Sequence, residues 1–382
     1  MTYNKARLAA GPFRMIKERN MERYPQLVVD LAHARENVEN LVKRCADRGV
    51  RMTGVIKVTN GLPEMCQAYY DGGCRTLASS RIEHLKSLKE KGIGEEFELL
   101  RIPMMSEIPD VIKYADISLN SDGSVLEALN AEALRQGKVH RVILMVEVGD
   151  LREGYWDREE LLRDALKVEN DFDGLYLEGV GMNVGCYGSV LPTFDNMQDL
   201  VDAAEMIEAS IGRKLDTISG GGTSSLMRIF DGDIPERINE LRVGGEPLAA
   251  YTLKNVYGYP MEWQHEDVIR LRMEVLEVRK KPSHPIGELA VDAFGHSNTY
   301  EDRGERLRAI LGGGRLDYGE PQDIPNGNPG IEILGASSDH TIIDLEDCPI
   351  EYKPGDFIEF RIKYTQLMYL TLNPLTHIKY IE

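Results

Sequence analysis

No Cys-x-x-Cys pair occurs in this chain of 382 residues, and its five cysteines (Cys45, Cys66, Cys74, Cys186 and Cys348) are scattered and odd in number. With 15 methionines and no secretory leader pattern, the expectation is a protein of the reducing cytoplasm. Apolar runs never approach the ~20 residues that a membrane-spanning helix takes. Positive charge is also short: 45 Lys and Arg stand against 63 Asp and Glu, a net charge of -18. Such a surface is repelled by nucleic acid and by anionic membrane, so neither is expected as a partner. It is compatible with a cationic small molecule. Also missing is the Gly-x-Gly-x-x-Gly turn that an open dinucleotide-binding sheet needs after its first strand; the sequence there reads "KVTNGLPE".

What is present is a regular alternation. The first 24 residues are basic and weakly patterned and read as an N-terminal arm. From residue 25 to 254, short apolar β-branched runs alternate with amphipathic stretches such as "ARENVENLVKRCADRG" and "MQDLVDAAEMIEASIG". The apolar residues of these stretches recur at i, i+3 and i+4, and several end at a glycine placed to cap a helix. Eight strand–helix units within ~200 residues predict a (β/α)8 barrel of the TIM type. "LVVDL" at 27–31 is a ninth strand that such a barrel does not need, and is expected to pair elsewhere. Residues 255–382 change texture to strand-like runs separated by turns, among them "VIRLRMEVLEVRKK", "GELAVDAFG" and "DFIEFRIKY". They predict an all-β second domain.

In a (β/α)8 barrel the active site stands at the carboxyl ends of the strands. Lys57, Ser79, Ser80, Arg101, Asn120, Arg152 and Asn183 stand at successive tips, followed by "SGGGTSS" (219–225) and "RVGGE" (242–246). Glycines and hydroxyls after the last two strands make a phosphate cradle from bare backbone N–H groups. A buried strand seldom ends on an unpaired ammonium, so Lys57 across the mouth needs a reason. Phosphate on one side and a lone amine on the other point to pyridoxal 5′-phosphate, held by Lys57 as a Schiff base.

At these residues the chain resembles the fold-type III pyridoxal-phosphate enzymes, the alanine racemase family, and within it the alanine/ornithine racemase branch. The likeness rests on "GVIKVTNG", "SLNS", "GDLREGY", "GMNVGCYG", "ISGGGTSS", "LRVGGE", "GASSDH" and "KYTQLMYL", all in the family's order across residues 25–382. It implies that Lys57 is the cofactor lysine and one catalytic base. Ser224, Gly244, Gly245 and Tyr364 would hold the phosphate, and Asn183 would lie against the pyridine ring. Arg152 would serve the substrate carboxylate, and Arg242 would face the pyridine nitrogen. A guanidinium donates hydrogen bonds but keeps its proton, so such a ring stays a weak electron sink. That suits brief proton removal at Cα and disfavours side reactions.

The departures are informative. The family's tyrosine from the partner subunit is replaced by the glycine-rich "GGGRLDYG" (312–319), with Tyr318 further on, and a family lysine aligns with Met145. Racemisation needs a base on each face of Cα. "GASSDH" (335–340) supplies the candidates: Ser338, at the place where related decarboxylases carry a cysteine, or His340, whose near-neutral titration suits proton transfer. Asp339 would receive the distal ammonium of ornithine or lysine. If this loop acts on the partner's cofactor, the enzyme is a homodimer with shared active sites. The expected activity is amino-acid racemisation of a small-molecule substrate, ornithine or lysine before alanine, with no metal. Two alternatives stay open at this level: a metal-dependent D-amino-acid aldolase or dehydratase, and a non-catalytic cofactor-binding protein. Trp263 and His265 read as packing and surface, Cys186 and Tyr187 as pocket lining. The polar insertion beginning at His296 reads as a lid or a subunit contact.

Overall fold

The computed structural model describes residues 23–382 except 298 and 326. The expected N-terminal arm, apart from its last two residues, lies outside the described residues. β1 (Gln26–Asp30) and α1 (Leu31–Ala46) lead into a closed parallel barrel of eight strands. These are β2 (Arg51–Val55), β3 (Thr76–Ser79), β4 (Glu96–Leu99), β5 (Ile117–Asn120), β6 (His140–Met145), β7 (Leu175–Gly181), β8 (Thr217–Ser219) and β9 (Glu240–Val243). A helix follows each in turn: α2 (Pro63–Asp71), α3 (Ile82–Lys91), α4 (Ile108–Tyr114), α5 (Gly123–Gln136), α6 (Arg158–Asp171), α7 (Phe194–Ile211), α8 (Leu226–Asp231) and α9 (Glu246–Ala249). Local chemistry sets their ends. Asp30, Asp122 and Asp157 accept backbone N–H groups at the starts of α1, α5 and α6, and Thr193 and Asn196 cap each other's backbone at α7. Gly92, Gly137, Gly212 and Gly232 close four helices in the left-handed conformation.

The second domain is all-β with two short helices. It comprises β10 (Ile269–Pro282), β11 (Glu305–Gly312), α10 (Arg315–Tyr318), β12 (Glu332–Ala336), β13 (His340–Asp344), β14 (Phe357–Arg361), α11 (Tyr364–Leu372) and β15 (His377–Ile381). The ninth strand finds its place here. β1 sits between β10 and β15, antiparallel to the first (Leu27 opposite Leu271) and parallel to the second (Leu27 opposite Ile378). The expected strand at "GELAVDAFG" does not form: residues 287–295 are in no strand or helix, and Ile286, Leu289, Val291 and Phe294 are exposed. Its alternating pattern has no neighbouring strand to pair with, and Gly287 and Gly295 turn the backbone through positive φ at both ends.

Inside the barrel, an apolar layer of Ile117, Leu119, Ile143 and Met145 lies beside a polar one. Glu240 accepts from the Thr53 hydroxyl (2.6 Å) and faces the Arg51 guanidinium (Nε to Oε1, 3.4 Å). Glu98 is fully buried, and neither of its oxygens has a hydrogen-bond partner. Burial first, and the Glu240 carboxylate second, push Glu98 up to about 8, against the pull of Arg242 and Arg51. The folded chain therefore keeps a proton on Glu98 across the window from about pH 5 to 8 in which the unfolded chain loses it. Stability then falls as pH rises through that window and levels off above it. Glu98→Gln should flatten that slope, by on the order of a few kcal/mol between its ends. Urea unfolding at pH 5.5 and pH 8.5 checks this; a slope unchanged in the variant would mean that Glu98 is ionised in the fold.

Candidate active site

Lys57 does not end its strand. β2 stops at Val55, and Lys57 opens a single 3-10 turn, Lys57–Thr59. That turn is pinned on both sides. Thr59 Oγ1 donates back to the Ile56 carbonyl (2.8 Å), and Asn60 takes the left-handed conformation at φ 51°. The Asn60 amide donates to the Thr371 carbonyl in α11 (3.0 Å), while Thr371 Oγ1 donates to the Val58 carbonyl (2.9 Å). On the other side Asn60 Oδ1 meets His84 Nε2 (3.0 Å), whose Nδ1 meets Ser79 Oγ (2.9 Å). The Lys57 side chain reaches solvent through the open mouth but is ringed by protein. Partial burial, with the Arg152 and Arg242 charges, holds its ammonium below the usual lysine range, against the pull of Cys186 and Glu153. A larger share of free amine follows, as a nucleophile toward an aldehyde requires.

The groups acting on Lys57 face one space. Arg242 is buried in β9, its guanidinium donating to Ser219 Oγ and to the Met182 carbonyl (2.6 Å). Arg152 pairs with Glu153 on the loop after β6, and its N–H donates to Glu147 (3.0 Å). Asp150, which sequence reasoning passed over, ties that loop to the one after β7: its carboxylate accepts the N–H groups of Gly185 (3.1 Å), Tyr187 (2.9 Å) and Val190 (3.3 Å). These bonds hold its carboxyl below the ordinary range, against burial. Its place inside "GDLREG" was the available signal.

The opposite side of the mouth is glycine and hydroxyl. Gly245 has no room for a side chain, because a Cβ there would lie 2.4 Å from Tyr364 Cδ2. Gly244 is less free than the sequence suggests. Its N–H donates to Thr223 Oγ1 (3.1 Å) and its carbonyl accepts from the Tyr69 hydroxyl (2.5 Å). The Thr223 hydroxyl, accepting from Gly244, keeps its own proton to donate. Ser224 Oγ lies 3.4 Å from the Val184 carbonyl. Asn183 Nδ2 is buried with no hydrogen-bond partner among the described residues, and a side chain on Gly222 would begin 3.9 Å from Asn183 Oδ1. A buried amide without a partner costs roughly 1–3 kcal/mol, so this one is suited to a bound group. An amine, a glycine–hydroxyl cradle and an orphaned amide donor around one opening fit pyridoxal phosphate. Lys57, Thr223, Ser224, Gly245, Tyr364, Asn183 and Arg242 are the groups that could hold it.

Ser338, Asp339 and His340 are not among them. Ser338 and Asp339 lie in the turn between β12 and β13 and His340 opens β13, and this segment is bound within the second domain: Arg315 and Leu316 donate backbone N–H groups to the carbonyls of Ser337 (2.9 Å) and Ser338 (3.0 Å). A side chain on Gly314 would strike Ser338 O at 2.4 Å, so this turn fills the place above "GGGRLDYG". Ser338 Oγ donates to Asp339 (2.5 Å). Asp317, also passed over in the sequence, accepts from Asn373 Nδ2 (3.1 Å) and is pushed up by burial and then by the neighbouring Asp339 charge. Tyr318 is fully buried, its hydroxyl engaged by Thr341 Oγ1 (2.5 Å), and burial pushes it up to about 12. It is not available to move protons near neutral pH. A cavity of about 650 Å³ lies behind this turn, lined by Arg303, Arg308 and Arg315 with Asp292, Glu301 and Glu332. These six charges offset one another. Gly245→Ala should drive the Tyr364 ring out of its place and weaken cofactor retention at least tenfold, with roughly 1–3 kcal/mol of overpacking strain. Absorbance of the bound cofactor after dialysis measures the first effect and urea unfolding the second.

Comparisons with known proteins show the family of the chain. The pattern described as "Alanine racemase, N-terminal domain" matches residues 29–246. The ornithine racemase of Acetoanaerobium sticklandii is 40% identical over 348 residues, 90% of this chain and 96% of that protein. The lysine racemase of Thermotoga maritima is 34% identical over 351 residues, 92% of this chain and 97% of that one. Among solved structures, an alanine racemase from Bartonella henselae with covalently bound pyridoxal phosphate shares the fold at a TM-score of 0.69 and 19% identity, covering 93% of this chain and 99% of its own. The chain thus belongs to the alanine racemase family of pyridoxal-phosphate-dependent enzymes, and Lys57, on its pinned turn at the barrel mouth, is the candidate to hold that cofactor.

Proposed function

We propose that this protein racemises a diamino acid, ornithine or lysine, as a cytoplasmic homodimer whose mouths are each completed by the partner's second domain. The observation that carries the reading is the position of Lys57: a partly desolvated amine on a turn fixed by Asn60 and Thr371, facing Arg152 and Arg242. The two relatives named above, an ornithine and a lysine racemase aligned over nine-tenths of this chain, support the choice of substrate. All five cysteines are free, which suits a reducing compartment. Among the described residues no helix is long and apolar enough to cross a membrane.

When bound, pyridoxal phosphate supplies the electron sink for the pair left at Cα. Lys57 removes or returns the Cα proton on one face. Arg152 neutralises the substrate carboxylate and fixes which bond at Cα is presented. Arg242 donates a hydrogen bond without giving up its proton, its direction set by Ser219 and the Met182 carbonyl. The other face of Cα needs a second proton carrier. Within one chain the Ser338–His340 turn bonds to the loop around Gly314, and α10 and α11 pack between that loop and the Lys57 turn. The reading therefore brings Ser338 or His340 from the partner subunit. Asp339, with the Asp317 carboxyl nearby, is the group that receives the distal ammonium.

The deciding test is deuterium incorporation at Cα in D2O, followed by NMR and chiral chromatography on single enantiomers of ornithine, lysine, alanine and serine. The expected result is exchange with inversion on ornithine or lysine, abolished in Lys57→Ala. Loss of Ser338 or of His340 should lower kcat by about 10²–10⁴, as general acid–base catalysts do. Asp339→Asn should raise KM for ornithine by roughly tenfold or more and leave alanine unaffected, since a charge-assisted hydrogen bond contributes ~1.5–3 kcal/mol. Exchange without inversion would remove the turn from the mechanism. Absence of exchange on all four would overturn the racemase reading in favour of a metal-assisted lyase or a cofactor carrier.

A further inference from the structure

Away from the mouth, where the barrel joins the second domain, two histidines lie face to face. His33, in the first turn of α1, stacks on His265, in the segment that leads to β10, with ring centroids 3.8 Å apart and planes 3° from parallel. Carboxylates surround them. His33 Nδ1 is 3.1 Å from Asp267 Oδ1 and 3.5 Å from Asp30 Oδ2, and His265 Nε2 is 2.7 Å from Glu36 Oε2. One ligand atom from each of His33, His265 and Asp267 can be chosen so that all three lie within 4.8 Å of one another. Neither the cofactor site nor the substrate reading uses any of these residues.

We propose that His33, His265 and Asp267 bind a divalent transition-metal ion of the zinc type. Two imidazoles and a carboxylate are the donor set that suits zinc, with water as the fourth ligand. Tetrahedral bonds of about 2.0–2.1 Å put ligand atoms about 3.3 Å apart; the His33–Asp267 pair already stands at 3.1 Å. The other pairs lie within 4.8 Å of one another and close on an ion by side-chain rotation. Parallel rings keep their lone pairs in parallel planes, so each ring turns toward the ion about χ2, its broad and soft torsion.

Three further features favour an ion over a plain cluster. Glu36 holds Nε2 of His265 and leaves Nδ1 to bind, the carboxylate–histidine–metal arrangement that fixes ring orientation and raises basicity. The backbone is fixed beforehand by Asn37, which is fully buried: its Oδ1 accepts the His265 N–H (2.8 Å), and its Nδ2 donates to the carbonyls of His265 (2.9 Å) and Pro247 (3.0 Å). Asp30, Glu36 and Asp267 also concentrate negative charge here, and their ion pairs run to the two histidines. Since Asp30 ends β1 and Asp267 precedes β10, an ion at this point clasps the barrel's first helix to the central strands of the second sheet.

The test uses the full-length holoenzyme stripped with a chelator and titrated with zinc chloride, bound metal being counted after dialysis and affinity read by calorimetry. One zinc ion per chain, at a micromolar or tighter dissociation constant, is expected. His265→Gln and Asp267→Asn should each weaken it at least tenfold. Zinc should also raise Tm by a few degrees in the wild type and leave it unmoved in both variants. Both variants should racemise at the wild-type rate, which controls for folding. The absence of saturable binding at 100 μM zinc would overturn the site. So would one ion per chain that survives both substitutions, since it would be held elsewhere.

Discussion

The placement of Lys57 depends on a pair of hydrogen bonds that cross between domains. Asn60 donates to the Thr371 carbonyl and Thr371 Oγ1 donates to the Val58 carbonyl, so the turn carrying Lys57 is braced by α11, which belongs to the second domain. An amine on a flexible chain would spend its time in water. Here the backbone beneath it is fixed from two directions, since Asn60 is also held by His84 and Ser79. α11 has a second task, because its first residue is Tyr364, whose ring packs on Gly245. One helix therefore sets the lysine and the phosphate side of the mouth together. Preorganisation of this kind lets an enzyme hold reacting groups in place without ordering them at each turnover.

The charges beneath the mouth form a graded series. Arg242 is buried and held by a hydroxyl and a carbonyl, neither of which neutralises it. Deeper in the barrel, Glu240 faces the Arg51 guanidinium, and burial first and Glu240 second favour the protonated form of Glu98. A protonated Glu98 avoids two carboxylate charges in one dry space, which the low dielectric would make costly. The positive side of the balance then lies toward the cofactor site, where Arg242 and Arg152 both disfavour a second positive charge on Lys57. The lowered affinity of Lys57 for its proton follows from burial and from this distribution together.

Much of this was legible in the sequence. The eight-fold alternation, the caps and the strand-tip residues gave the barrel, because helix periodicity and capping are local signals that tertiary contacts reinforce. Lys57, Asn183, Arg242 and Tyr364 could be named from motif order alone. The roles of Asp150, Thr223 and Asp317 were hidden, since each works through backbone groups or neighbours distant in sequence. "GELAVDAFG" misled for a related reason: alternation marks a strand only where a partner strand is available. Lys57 shows the limit of boundary reading, since the strand ends two residues before it and a 3-10 turn aims the amine.

The place of β1 has a consequence for how the chain comes to be folded. That strand lies between β10 and β15, so residues 26–30 are paired on one side with residues 377–381, some 350 positions away. A ribosome releases β1 long before β15 exists. The barrel strands β2 to β9 are contiguous in sequence and can close while synthesis continues, whereas the sheet of the second domain, the domain whose α11 braces the Lys57 turn, stays incomplete until residue 381 is free. Pairings of such sequence separation form slowly, because a long loop must close before they gain anything. A nascent chain therefore carries its barrel first and its competence last.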